Sequence, residues 1–129
     1  DAEISAMCRW IMQSLGSDVP LHFSAFHPDH KMPDTPATPP ATLVRARNIA
    51  LREGLTYVYT GNVHNQEGDT TFCPGCRSPL IVRDWYRIEQ YRLNEEGPCP
   101  DCGAAVAGRF AATSGHFGRK RIPIAIGMF

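Results

Sequence analysis

A chain of 129 residues with 13 Lys plus Arg against 13 Asp plus Glu has no net formal charge, so no global field draws it to nucleic acid or to an anionic membrane. The length allows one modest domain, or a small core with an appended module, and 43% hydrophobic residues is ordinary for a globular protein. No apolar run approaches the roughly 20 residues of a bilayer-spanning helix, and the N-terminal stretch reads as an amphipathic helix rather than a secretion signal.

The first element carries Ile4, Met7, Cys8, Ile11 and Leu15 at helical spacing, with Gly16 as its stop. Cys8 lies on that stripe and is read as a buried structural thiol. Pro20 leads into LHFSAF, Leu21 to Phe26, a compact apolar strand in which His22 is read as a packed residue. The segment HPDHKMPDTPATPP that follows is Pro-rich and irregular, and loops of that length are often functional.

Thr38 followed by Pro39 predicts a helix start, with a capping hydroxyl and a proline in the first turn. ATLVRARNIALREG continues as a helix with Leu43, Ala46, Ile49 and Ala50 near one face, ending at Gly54. TYVYTGNV, Thr56 to Val63, is the next strand. Helix, strand, loop, helix, strand is the rhythm of a parallel α/β sheet.

Two strands and two helices cannot cover both faces of such a sheet. Residues 1–66 are therefore expected to be the C-terminal portion of a longer α/β repeat. A free-standing unit, or an oligomer that completes itself, is the alternative. Binding loops in α/β folds lie at the carboxyl ends of strands, here AFHPDHK and TGNVHN.

Residues 67–112 follow another pattern. Cys73, Cys76, Cys99 and Cys102 form C-x2-C-x22-C-x2-C. Thiolates in two such turns suit a tetrahedral structural zinc ion, and the same four can hold iron in a rubredoxin-type site. Two disulfides, free thiols or an iron–sulfur cluster are the competing readings. Knuckle spacing without a secretion signal points to a reducing, cytoplasmic setting. Leu80 to Leu93 suits β structure, and AVAGRFAA after the second pair is expected to add a strand. The whole reads as a zinc ribbon or rubredoxin-like module that depends on metal for much of its folding free energy.

Residues 113–129 form a tail with the basic run Arg119, Lys120, Arg121 and the apolar end IPIAIGMF. In a neutral chain three cations form a solvated face more often than a nucleic-acid site, although a nucleic-acid-binding ribbon stays open as an alternative. The apolar end is read as a strand or a contact with a neighbour. Phosphate-loop, dinucleotide-fingerprint and zinc-protease motifs do not occur.

CRWIMQSLGSDVPLHFSAFHPDHKM, TPPATLVRARNIALREGLTYVYTGNV, CPGCRSPLI and CPDCGAAVAGRF together resemble, in order, the C-terminal part of the AmmeMemoRadiSam-system radical SAM enzymes, relatives of the pyruvate formate-lyase activating enzymes. The resemblance spans Glu3 to Phe110. It implies a partial α/β barrel that binds S-adenosylmethionine and a [4Fe–4S] cluster and generates a 5′-deoxyadenosyl radical. The family's cluster motif, C-x3-C-x2-C near the barrel's beginning, is absent from this sequence. The expectation is a C-terminal fragment that performs no radical chemistry by itself, with the cofactors belonging to the full-length parent. The resemblance further implies a cofactor-facing role for His27, Asn62 and His64, and a substrate-facing one for Asp29 and His30. It implies as partners a missing N-terminal barrel half and proteins of the Memo and Amme type.

Overall fold

The computed structural model describes residues 1–115. Arg119, Lys120, Arg121 and the apolar IPIAIGMF segment lie outside the described residues. The element order is α1 (Ala2–Ser14), β1 (Leu21–Ser24), α2 (Pro40–Arg52), β2 (Val58–Gly61), α3 (Gln66–Asp69), β3 (Thr71–Phe72), β4 (Pro79–Asp84) and β5 (Arg87–Tyr91). The fold is mixed α/β, with a parallel pair β1–β2 and an antiparallel sheet in the order β3-β4-β5.

The α1 stripe is narrower than its periodicity suggests. Cys8 and Ile11 are buried, but Met7 and Leu15 are exposed. Gly16 ends the helix at φ 93°, donating to the Ile11 carbonyl at 3.1 Å, a left-handed conformation that glycine adopts without a Cβ penalty.

Helix α2 starts one residue later than expected, with Pro39 as N-cap and Pro40 inside the first turn. Thr38 does not cap it. Its hydroxyl accepts a hydrogen bond from the Phe26 amide at 3.0 Å, and its own amide donates to the Phe26 carbonyl at 3.0 Å. This reciprocal pair closes the loop that leaves β1, and the competing partner explains why the capping hydroxyl is used elsewhere.

Strands β1 and β2 pair in the register Leu21↔Val58 through Ser24↔Gly61. Leu21, Phe23 and Val58 pack with Cys8, Ile11, Ala50 and Leu55 under the helices. His22 is on the opposite face. It is exposed rather than packed, and it stacks on Tyr59 with ring centroids 4.9 Å apart. The alternation of a strand decides this: with Leu21 and Phe23 turned to the helices, His22 must turn away.

A second core gathers Tyr57, Cys73, Leu80, Ile81, Leu93, Cys99 and Val106. The β-rich stretch Leu80 to Leu93 resolves into a hairpin of β4 and β5, turning at Trp85 with φ 52°. AVAGRFAA forms no strand. Val106 is drawn into the core, the Ala107 amide donates to the Tyr57 hydroxyl at 3.0 Å, and the Ala111 carbonyl accepts from the Tyr91 hydroxyl at 2.7 Å. Its backbone is thus satisfied by side chains rather than by a ladder. Helix α3, which the sequence reading missed, straddles the expected boundary at residue 66.

Among the described residues, no helix is long and apolar enough to cross a membrane.

Candidate metal centre

The two knuckles repeat one backbone circuit. Cys73 N donates to Ser78 O at 2.9 Å and Arg77 N donates to Cys73 O at 3.1 Å. In the second copy Cys99 N donates to Ala104 O, and Gly103 N to Cys99 O, both at 2.9 Å. The residue after each second cysteine is left-handed, Arg77 at φ 64° and Gly103 at φ 72°. At Gly103 backbone conformation is the requirement, since a Cβ there would meet nothing within 4 Å among the described residues. At Gly75 it is space: a Cβ would lie 3.0 Å from Ala104 Cβ and 3.4 Å from Cys102 Sγ.

These circuits bring all four Sγ atoms within 4.8 Å of one another. Cys73 and Cys102 sulfurs are 3.5 Å apart, and those of Cys76 and Cys99 are 3.7 Å apart. A tetrahedron of thiolates at the usual zinc–sulfur bond length has edges of about 3.8 Å, so the donor set fits a tetrahedral metal ion. The Gly75 and Cys76 amides point at Cys73 Sγ at 3.3 and 3.4 Å, which favours its thiolate. Cys73 and Cys99 are buried in the second core, while Cys76 and Cys102 are exposed.

Protons are shared unequally in this cluster. Hydrogen bonding by the Ser78 hydroxyl and amide draws Cys76 down to about 6. For Cys102, hydrogen bonding from the Ala104 backbone favours the thiolate, yet the thiols of Cys73 and Cys76 push it up to about 12. Four thiolates cannot coexist at this spacing without a cation, which is the electrostatic reason such a cluster takes up a metal.

Arg92 braces the site. Its guanidinium grips Asp101, inside the second knuckle, at 2.9 and 2.5 Å, and also reaches the Pro79 carbonyl at 3.3 Å. Sequence reasoning missed this pair, whose only local signal was an acid inside a C-x-x-C turn.

The other candidate residues lie apart from the thiols. His27 is exposed, with Nδ1 3.0 Å from Pro28 O. Asp29 accepts from the His30 amide at 2.7 Å, and His30 has φ 48°, so both belong to an exposed turn. Asn62, at φ 60°, donates from Nδ2 to the Ala25 carbonyl at 3.2 Å and ties the ends of β1 and β2 together. His64 is drawn to the β4–β5 hairpin instead, where the Trp85 indole N–H reaches its Nδ1 at 2.8 Å and Asp84 lies 4.0 Å away. Arg47, which no pattern marked, is buried and ties α2 to β2 and α3, donating to Val58 O at 3.0 Å and to Glu67 at 2.8 Å.

An uncharacterized protein of Methanocaldococcus jannaschii is 46% identical over 99 residues, covering 76% of this chain and 30% of the relative. The chain thus spans less than a third of that relative's length. No protein-family model matches the chain, and no solved structure matches it.

Proposed function

We propose that this chain is the C-terminal part of a radical SAM enzyme of the activating-enzyme type, with a structural zinc ion held by Cys73, Cys76, Cys99 and Cys102 in a ribbon module. The observation that carries the metal reading is the convergence of four Sγ atoms within 4.8 Å from two matching knuckles. Bound there, zinc supplies a crosslink that holds the two knuckles and the β3-β4-β5 sheet together. Two things support the parentage: a parallel strand pair with its helices packed on one face, as in a partial barrel, and a relative much longer than this chain.

In this reading the radical chemistry belongs to the whole protein, whose C-x3-C-x2-C segment this sequence does not contain. His27, Asn62 and His64 then face S-adenosylmethionine, while Asp29 and His30 face the substrate. The partners are the N-terminal barrel half and proteins of the Memo and Amme type, in the cytoplasm.

Metal analysis of protein purified without added metal tests the site. About one zinc per chain, without colour, is the expected result. About one iron per chain, with a thiolate charge-transfer spectrum that bleaches on reduction, would replace the zinc reading with a rubredoxin-like electron carrier. Reductive formation of 5′-deoxyadenosine by this chain alone would overturn the fragment reading.

A further inference from the structure

The face of the β1–β2 sheet turned away from α1 and α2 does not end at the sheet. The β4–β5 hairpin lies beside it, and the two border an open pocket of about 320 Å³ lined by Pro20, His22, Tyr59, Asp69, Arg83 and Trp85, with Thr60 among them. That volume is at the lower end of ligand pockets, which run from about 300 to 1,000 Å³. Its walls are aromatic: the stacked His22–Tyr59 pair on one side, and Trp85, 40% exposed, from the hairpin.

Two opposite charges stand in the same wall. Arg83 commits one guanidinium nitrogen to the Asp69 backbone carbonyl and the Thr71 hydroxyl, both at 2.9 Å. These bonds fix the guanidinium without neutralising it, because neither acceptor is charged. The Asp69 carboxylate takes no part in them. Burial pushes its carboxyl above the usual range, with Arg83 and His64 pulling the other way and Asp84 adding to the rise, so a further cation beside it would favour the charged form. The Trp85 indole N–H is occupied by His64, so the indole contributes its ring rather than a donor.

We infer that this cavity binds a free aromatic α-amino acid, with the ring between the His22–Tyr59 stack and Trp85, the carboxylate on Arg83 and the ammonium on Asp69. A flat apolar ring matches the aromatic walls, and a zwitterion matches a fixed guanidinium and a neighbouring carboxylate at once. The site is separate from the four thiols and does not depend on which metal they hold.

The test is titration of this chain, metal loaded, with L-phenylalanine, L-tyrosine and L-tryptophan, followed by NMR or calorimetry. 3-Phenylpropionate, phenethylamine and L-leucine serve as matched probes lacking the ammonium, the carboxylate and the ring. The expected result is saturable binding of at least one aromatic amino acid with Kd on the order of 0.1–1 mM. For the phenylalanine series each probe should be weaker by about tenfold. Asp69→Asn should erase the preference over 3-phenylpropionate, and Arg83→Gln the preference over phenethylamine. Trp85→Ala and His22→Ala change exposed side chains, keep the fold, and should weaken every aromatic ligand. Absence of saturable binding by all three amino acids at about 10 mM would overturn the inference. So would L-leucine binding as well as phenylalanine, or binding indifferent to Trp85→Ala and His22→Ala.

Discussion

The Tyr57 hydroxyl, from the segment entering β2, accepts a hydrogen bond at 3.0 Å from the amide of Ala107, beyond the last cysteine. Tyr57 is buried in the second core, among Cys73, Leu80 and Cys99, and so joins the α/β half to the four-cysteine half. Tyr57→Phe keeps the ring and strands the Ala107 amide, and is expected to cost about 1–2 kcal/mol. Tyr57→Ala also opens a cavity and should cost about 3–5 kcal/mol. Denaturant titration measures both. A Tyr57→Phe variant as stable as the parent would mean that water replaces the bond.

Metal removal should act unequally on the two halves. The core packed on β4 includes Cys73 and Cys99, whereas the α1–α2–sheet core includes Cys8, Ile11 and Ala50 but no knuckle cysteine. A strong chelator, or Cys73→Ser, is expected to release the metal and to expose the amides of β3, β4 and β5 to hydrogen exchange before those of α1 and α2. Uniform loss of protection across the chain would show that the Tyr57 link makes the two cores one cooperative unit.

Thr60 is buried, and its hydroxyl lacks a hydrogen-bond partner among the described residues. Thr60→Val is nearly isosteric and removes the orphaned group, so a gain of about 1 kcal/mol is expected. Gly68 lies against the same hydroxyl: a Cβ there would sit within contact range of Thr60 Oγ1, too close to be accommodated without movement. Gly68→Ala should therefore destabilise by about 1–3 kcal/mol, and the Thr60→Val background should rescue little, since the methyl occupies the same space. Thermal unfolding of the two single variants and the double variant checks the set.

Cys8 gives a pH dependence with a definite sign. Burial, with a smaller contribution from Glu53, raises its pKa above the ordinary 9.0, although Arg9 opposes the shift. Above pH 9 the unfolded thiol ionises while the folded one stays protonated, so the folded state holds more protons and stability falls as pH rises through that range. Cys8→Ala should flatten this alkaline slope, at a cost of about 1 kcal/mol near neutral pH for the lost packing. At neutral pH a thiol reagent should leave Cys8 unmodified in the folded, metal-loaded chain. Its rapid alkylation there would contradict the burial.

Local pattern alone was enough for several features: α1 from its apolar spacing, the parallel pair from the helix–strand alternation, and the four-cysteine cluster from C-x2-C-x22-C-x2-C, because each is encoded within a few residues or a fixed spacing. Other features were decided only by tertiary contacts. Thr38 had the chemistry of a helix cap but met the Phe26 backbone first. His22 sat in an apolar strand, yet the direction of its neighbours turned it outward. AVAGRFAA had the composition of a strand, but Tyr57 and Tyr91, 50 and 20 residues away in sequence, claimed its backbone. Pairing of distant polar groups, such as Arg92 with Asp101 or Arg47 with Glu67, and the formation of a pocket between β2 and the β4–β5 hairpin depend on how separate elements pack. Sequence spacing specifies which groups are neighbours on one element, whereas the burial of the two cores, one around Cys8 and Val58 and the other around Tyr57 and Cys73, determines which elements meet.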